Sequence, residues 1–166
     1  MSATDRTREQ QDRSTYGWSL LLDDGDLVLE SGRLGEVSGR TNLEQALLCR
    51  ILTPWAADRL NATYGLDASE AFTSGLSRGL AKQVLRLNLV RTLAADPRIA
   101  EVLHVHFDDD PEYLAANPGT EGGSSRRLAL AEIALRLVPA TQPAGTGAVS
   151  MQTVADTVTF LAEVKW

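Results

Sequence analysis

The sequence predicts an α+β domain, and three observations carry that prediction. Asp24-Gly25 stands between two apolar runs, as in a tight hairpin. Leu76 to Ala94 is a long stretch with helical periodicity, stopped at Asp96-Pro97. After it come short alternating segments that read as strands of a meander. The expected order is an N-terminal hairpin, two main helices over about 42–53 and 75–95, and a C-terminal antiparallel meander.

The totals bound the function. A chain of 166 residues is long enough to bury a core without staples. No apolar run approaches the ~18 residues of a membrane span. A net charge of −6 argues against nucleic acid as the main partner. Cys49 is the single cysteine, which excludes an internal disulfide and a cysteine metal cluster and fits a cytoplasmic place of assembly. The polar stretch Met1–Thr15 has no apolar segment after its charges, so it is not a secretory signal. It is expected to be a disordered tail, residues 1–15, ahead of a single domain over 16–166.

Trp18 to Ser31 should form the hairpin, with Leu27 and Leu29 alternating with Val28 and Glu30. The following GRLGEVSGR has no periodicity and reads as a loop in which Arg33, Glu36 and Arg40 are solvated charges. Thr41-Asn42-Leu43-Glu44 fits a capping box, which starts a helix whose apolar face is Leu43, Ala46, Leu47 and Ile51. Thr53-Pro54 ends it, and Cys49 inside it is a packing residue. Trp55 to Asp67 is a connector with one helical turn over 57–60 and a turn at Tyr64-Gly65.

The long helix carries two apolar stripes. Leu76, Leu80, Val84, Leu87, Val90 and Ala94 share one face, and Leu85, Leu89 and Leu93 lie nearly opposite. Two stripes imply burial on both sides, with the second side meeting either the chain's own sheet or another protein. Arg78, Lys82 and Arg86 form a basic row between them, readable either as a solvated face or as a docking face for an acidic partner.

In the meander, Ile99, Leu103, Val105 and Phe107 share one face of a strand, with Val102, His104 and His106 on the other. Asp108-Asp109-Asp110-Pro111 ends its pairing. Asn117–Ser125 is a flexible insertion. Arg126–Val138 is ambiguous between helix and strand, and its glycine-serine and proline boundaries favour strand. PATQPAGTG is a second loop before a last strand that includes Thr153–Phe160. No internal repeat is evident.

Catalytic signals are nearly absent. His104-x-His106 with the aspartate run makes a metal half-site or a plain polar sheet face, and no third histidine exists. No G-x-S-x-G elbow, P-loop lysine, G-x-G-x-x-G or CxxC pair occurs. No cofactor and no metal are expected. A glycosidase needs two carboxylates across one bond, and none of the 22 acidic residues stands in such a context.

The order Gly39-Arg40-Thr41-Asn42-Leu43-Glu44-Gln45-Ala46-Leu47, Ile51-Leu52-Thr53-Pro54, Tyr64-Gly65-Leu66, and a long helix running into Asp96-Pro97-Arg98-Ile99 resembles the gene 25-like lysozyme family. These are baseplate wedge proteins of contractile phage tails and contractile injection systems. The resemblance covers Trp18 to Phe107 and, more loosely, the C-terminal strands. It implies a lysozyme-like baseplate fold and a structural role without catalysis. It further implies wedge and sheath proteins as partners, tube or hub proteins as further contacts, and six copies per particle. Neither nucleic acid nor membrane is among them.

Asp96-Pro97-Arg98 matches the family's acidic-proline-arginine tripeptide, with Asp where Glu is usual. With the basic row it is the expected partner-binding group. Trp55-Ala56-Ala57-Asp58 stands where the family tends to have Gly-Glu, so that Glu has no counterpart here. An expected free edge on the last strand, over 153–164, would take a sheath strand by β-addition. The rival reading is an active peptidoglycan glycosidase of the same ancestry, for which Glu36, Glu44 and Asp58 are the carboxylates to scan.

Overall fold

The computed structural model describes residues 3–119, 128–138 and 157–165. It is mixed α and β, with all its strand pairs antiparallel. The elements are α1 (Ala3–Tyr16), β1 (Trp18–Leu20), β2 (Leu22–Asp23), β3 (Asp26–Leu27), β4 (Leu29–Glu30), β5 (Arg33–Leu34), β6 (Glu36–Ser38) and α2 (Gly39–Leu52). They continue with α3 (Ser69–Thr73), α4 (Arg78–Ala94), β7 (Ile99–Phe107), α5 (Pro111–Ala116), β8 (Leu128–Leu137) and β9 (Thr157–Lys165). The contacts group into two compact units, divided within α2 at Leu47/Leu48.

In the first unit the expected disordered tail is instead a helix, α1. Composition alone gives it little, so its end contacts explain it. Tyr16 is fully buried, and its carbonyl accepts from Asn42 Nδ2 at 2.8 Å. The Arg13 guanidinium lies 5.4 Å from the Trp18 ring centroid, and Arg40 pairs with Asp12 at 3.7 Å. Tyr16, Val37, Leu43 and Leu47 form this unit's core. Helix α2 starts at Gly39, two residues before the expected cap, so Thr41 falls inside its first turn.

Residues 18–38 form a three-armed β junction rather than one hairpin and a loop. The arms are β1·β6, β2·β3 and β4·β5. The predicted Asp24-Gly25 turn closes the second arm with φ values of 49° and 89°. Ser31-Gly32 closes the third in the same way, with 51° and 80°. Both are left-handed pairs of the kind that suits a two-residue hairpin loop.

At the centre three backbone bonds close a ring. Leu21 donates to Gly35 at 2.8 Å, Gly35 to Val28 at 2.8 Å, and Val28 to Leu21 at 3.1 Å. The junction residues are seven apart, and so are Leu20, Leu27 and Leu34, and Gly25, Gly32 and Gly39. An internal repeat is therefore present. Its period is too short to announce a solenoid, which is why hydrophobic pattern alone missed it.

In the second unit α4 is capped by Ser77, whose Oγ accepts from the Leu80 amide at 3.4 Å. Leu85, Leu89 and Leu93 are buried, each with roughly 1.5–3 kcal/mol of transfer free energy. Leu80 and Leu87 are 57% and 50% exposed. Of the two outcomes left open, the row Leu85, Leu89 and Leu93 meets the chain's own core and is not a partner face, and the wider stripe faces outward. The reason lies in the partner surface. Helix α4 packs along β7 on the side where Lys82 and Arg86 also find their bonds, and that choice fixes its rotation.

The sheet has order β7-β8-β9. Its core face includes Val105, Phe107, Ile133, Leu135, Val158 and Phe160. Strand β8 confirms the strand reading of the ambiguous segment. Two register shifts interrupt β7, so Leu103 leaves the expected face and is 37% exposed. The connector is tied to α4 through Asn88 Nδ2 to the Asp67 carbonyl at 2.7 Å and Thr92 Oγ1 to the Gly65 carbonyl at 3.3 Å. Residues 120–125 of the expected insertion, residues 126–127 of the strand expected after it, the PATQPAGTG loop and residues 153–156 of the last expected strand lie outside the described residues.

Candidate functional site

The basic row of α4 meets acids of its own chain. Lys82 is buried, bonds Asp109, and lies 3.6 Å from Asp108 and 5.1 Å from the Phe107 ring centroid. Arg78 pairs with Asp109 at 3.6 Å, and Arg86 bonds Asp110. The turn after β7 therefore supplies the acidic partner in cis. The row's charge is neutralised locally, which leaves little of it for an outside acid.

The same contacts account for the aspartate run beside His104 and His106. The two imidazoles are 4.4 Å apart, and His104 Nε2 lies 3.5 Å from Glu132 Oε1. Among the described residues no group of three or more His, Cys, Asp or Glu is placed to hold a metal. A groove of about 500 Å³ runs past Arg86, His104, His106 and Asp110. Asp108, Asp109 and Asp110 are directed to the cations of α4, not to the histidines.

These bonds also close one edge of the sheet. Arg86 Nε donates to the Val105 carbonyl at 3.0 Å. The Phe107 amide donates to Asp110 Oδ2 at 2.7 Å, and the Asp110 amide donates to the Phe107 carbonyl at 2.9 Å. Side chains and a turn thus occupy the outward groups over the last part of β7. Ladder alternation then assigns the inward-pointing groups of β9 to Phe160 and Ala162, opposite Ile133 and Ala131. Thr159 and Leu161 face outward, and among the described residues no strand pairs with that edge.

Asp96-Pro97-Arg98 forms the turn from α4 to β7. Asp96 is buried and accepts three bonds from Arg98: from its amide at 3.0 Å, its Nε at 2.9 Å and its Nη2 at 2.8 Å. Burial raises the Asp96 pKa, but these bonds and the guanidinium charge lower it by more, so the carboxyl is held below its ordinary value. The bond to Asp96 in turn raises Arg98. Pro97 stands exposed at the tip. The side chain of Arg98 remains about a quarter exposed, at 27%.

Nearby, a groove of about 400 Å³ is lined by Arg50, Trp55, Asn88 and Arg91 among others. Arg50 lies 5.1 Å from the Tyr64 ring centroid. Burial is the main cause that pushes the Tyr64 hydroxyl pKa up.

The three carboxylates considered for glycosidase chemistry lie on three different segments. Glu36 pairs with Arg13 at 3.5 Å on β6, Asp58 accepts the Leu60 amide at 2.8 Å, and Glu44 lies on α2. Sequence reasoning missed Asp108–Asp110 as the partners of the basic row. The opposite charges at comparable length were the available signal. Comparison with protein-family models, curated proteins and solved structures finds no match.

Proposed function

We propose that the chain is a structural, non-catalytic baseplate component of a contractile injection system or phage-like tail. In this reading its α+β fold is the lysozyme-like baseplate fold. It joins the wedge to the sheath, templates sheath assembly, and stands in six copies in a particle assembled in the cytoplasm. The order of motifs supports the reading as a resemblance. The observation that carries it is the asymmetry of the sheet, in which β7 is closed by Arg86 and Asp110 while the outer edge of β9 has no paired strand among the described residues. Proteins normally hide such an edge, and a sheath strand added there would complete it. Pro97 and the exposed part of Arg98 are the wedge-facing group.

The test is sheath assembly with Thr159→Pro and Leu161→Pro. Each removes an outward amide of β9 without taking a bond from the β8 ladder. Folded protein that no longer nucleates sheath is the expected result, and normal sheaths from both variants would remove this reading. The same protein should leave peptidoglycan intact. Lysis lost on changing Glu36, Glu44 or Asp58 to Ala would replace it with the glycosidase reading.

A further inference from the structure

We propose that the groove between the end of α2, the connector and the C-terminal half of α4 docks an acidic protein segment. A carboxylate of that segment enters between Arg50 and Arg91, and an apolar side chain beside it lies on Trp55. This inference goes beyond the baseplate reading and does not rest on it. The groove has about 400 Å³, and the residues that line it all belong to the second unit.

Its walls are tied to one another. Arg50 Nη1 donates to the Thr92 carbonyl at 3.3 Å, and the guanidinium lies 5.1 Å from the Tyr64 ring centroid. Asn88 and Thr92 bond the Asp67 and Gly65 carbonyls, which fixes α4 against the connector. The Trp55 amide donates to the Leu66 carbonyl at 3.0 Å, so the backbone under the indole is held. Trp55 is nevertheless 46% exposed. A cation positioned before binding loses little freedom on contact. Trp, Tyr and Arg are also the residue types that carry most binding energy when a partner covers them.

Charge selects the occupant. Arg13, Arg40, Arg78, Arg86, Arg98 and Arg136 each have a carboxylate within 3.7 Å. Arg50 and Arg91 line one groove, and among the described residues neither has a carboxylate at ion-pair distance. The acids around them are engaged elsewhere. Asp96 accepts its bonds from Arg98, and Asp67 Oδ1 accepts from the Ser69 amide at 3.1 Å and its hydroxyl at 2.6 Å. Guanidinium N–H groups left over in this way suit the paired oxygens of a carboxylate. In a chain of net charge −6, nucleic acid or an anionic membrane would be repelled by the rest of the surface. A short acidic segment meets only the groove.

The test titrates the full chain with a labelled Gly-Ser-Leu-Glu-Glu-Leu-Ser-Gly peptide and with its Gln-for-Glu counterpart. The Glu peptide should bind, more weakly as salt rises, and the Gln peptide should not. The indole N–H resonance of Trp55 should shift on binding, and that of Trp18 should not. Arg50→Gln and Trp55→Ala should each weaken binding by about tenfold, and Arg91→Gln by about fivefold. Melting curves check the fold of each variant. Arg91→Gln and Trp55→Ala change exposed side chains and decide the matter if Arg50→Gln is unstable. Equal binding of the two peptides, no binding at millimolar concentration, or binding unaltered by both exposed variants would overturn the proposal. So would displacement of the Glu peptide by an equal concentration of inorganic phosphate, or self-association of the wild-type chain that Arg91→Gln abolishes.

Discussion

Arg86 donates its Nε to the carbonyl oxygen of Val105 at 3.0 Å, across 19 residues of sequence. That bond, with the ion pair to Asp110, occupies a sheet edge that would otherwise invite another strand. Arg86→Ala should cost about 2 kcal/mol, the loss of a charge-assisted bond and a part-buried pair. Urea unfolding would read this as a lower midpoint with an unchanged slope. Light scattering should show more association, and Arg86→Lys should recover part of the loss.

Lys82 and Asp108 are both buried, 3.6 Å apart. Lys82→Met should cost about 3 kcal/mol, because it leaves the Asp108 charge buried with less compensation. Adding Asp108→Asn should return about 1 kcal/mol or more. Strictly additive losses in this double-mutant cycle would show that the pair is not coupled.

The Asp96 carboxyl titrates below its unfolded value of about 3.9. Its ionised form therefore favours the folded state. The stabilisation is present above about pH 4 and is lost as pH falls through the lower folded value. Asp96→Asn should flatten the acid limb of a stability–pH curve. Arg98→Ala should cost about 2 kcal/mol at neutral pH, and the difference from wild type should shrink in acid. An unchanged acid limb in Asp96→Asn would contradict the assignment.

Gly65 has φ +108°, and an added Cβ would stand 2.6 Å from the carbonyl oxygens of both Thr53 and Pro54. The Thr53 carbonyl accepts from the Leu66 amide at 2.8 Å and the Pro54 carbonyl from the Ala57 amide at 3.1 Å, so neither is free to move. Gly65→Ala should cost about 3 kcal/mol or more. Thermal melting checks it, and a loss below about 1 kcal/mol would mean that the connector shifts readily.

Local signals in the sequence were reliable where the cause is local. Asp24-Gly25 makes its turn, Pro54 and Pro97 follow helices that end beforehand, and β7 spans Ile99–Phe107 as expected. The failures have distant causes. Periodicity finds two stripes on α4 but cannot say which meets the sheet. The acids that neutralise Arg78, Lys82 and Arg86 come from the turn after β7. Helix α1 depends on the burial of Tyr16 among residues that follow it. The GRLGEVSGR stretch looks aperiodic because its strands are only two or three residues long.

The ring of bonds joining Leu21, Val28 and Gly35 also bears on the order of folding. Its members are seven or fourteen residues apart, whereas the β7·β8·β9 sheet joins residues from 21 apart (Arg136 and Thr157) to 38 apart (Ile99 and Leu137). Short loops close first, because loop entropy grows with the span to be closed. In pulse-labelled refolding the amides of Leu21, Val28 and Gly35 should therefore gain protection before those of β8. A chain emerging from the ribosome would have its three-armed platform assembled before the strand that finishes its sheet had been synthesised.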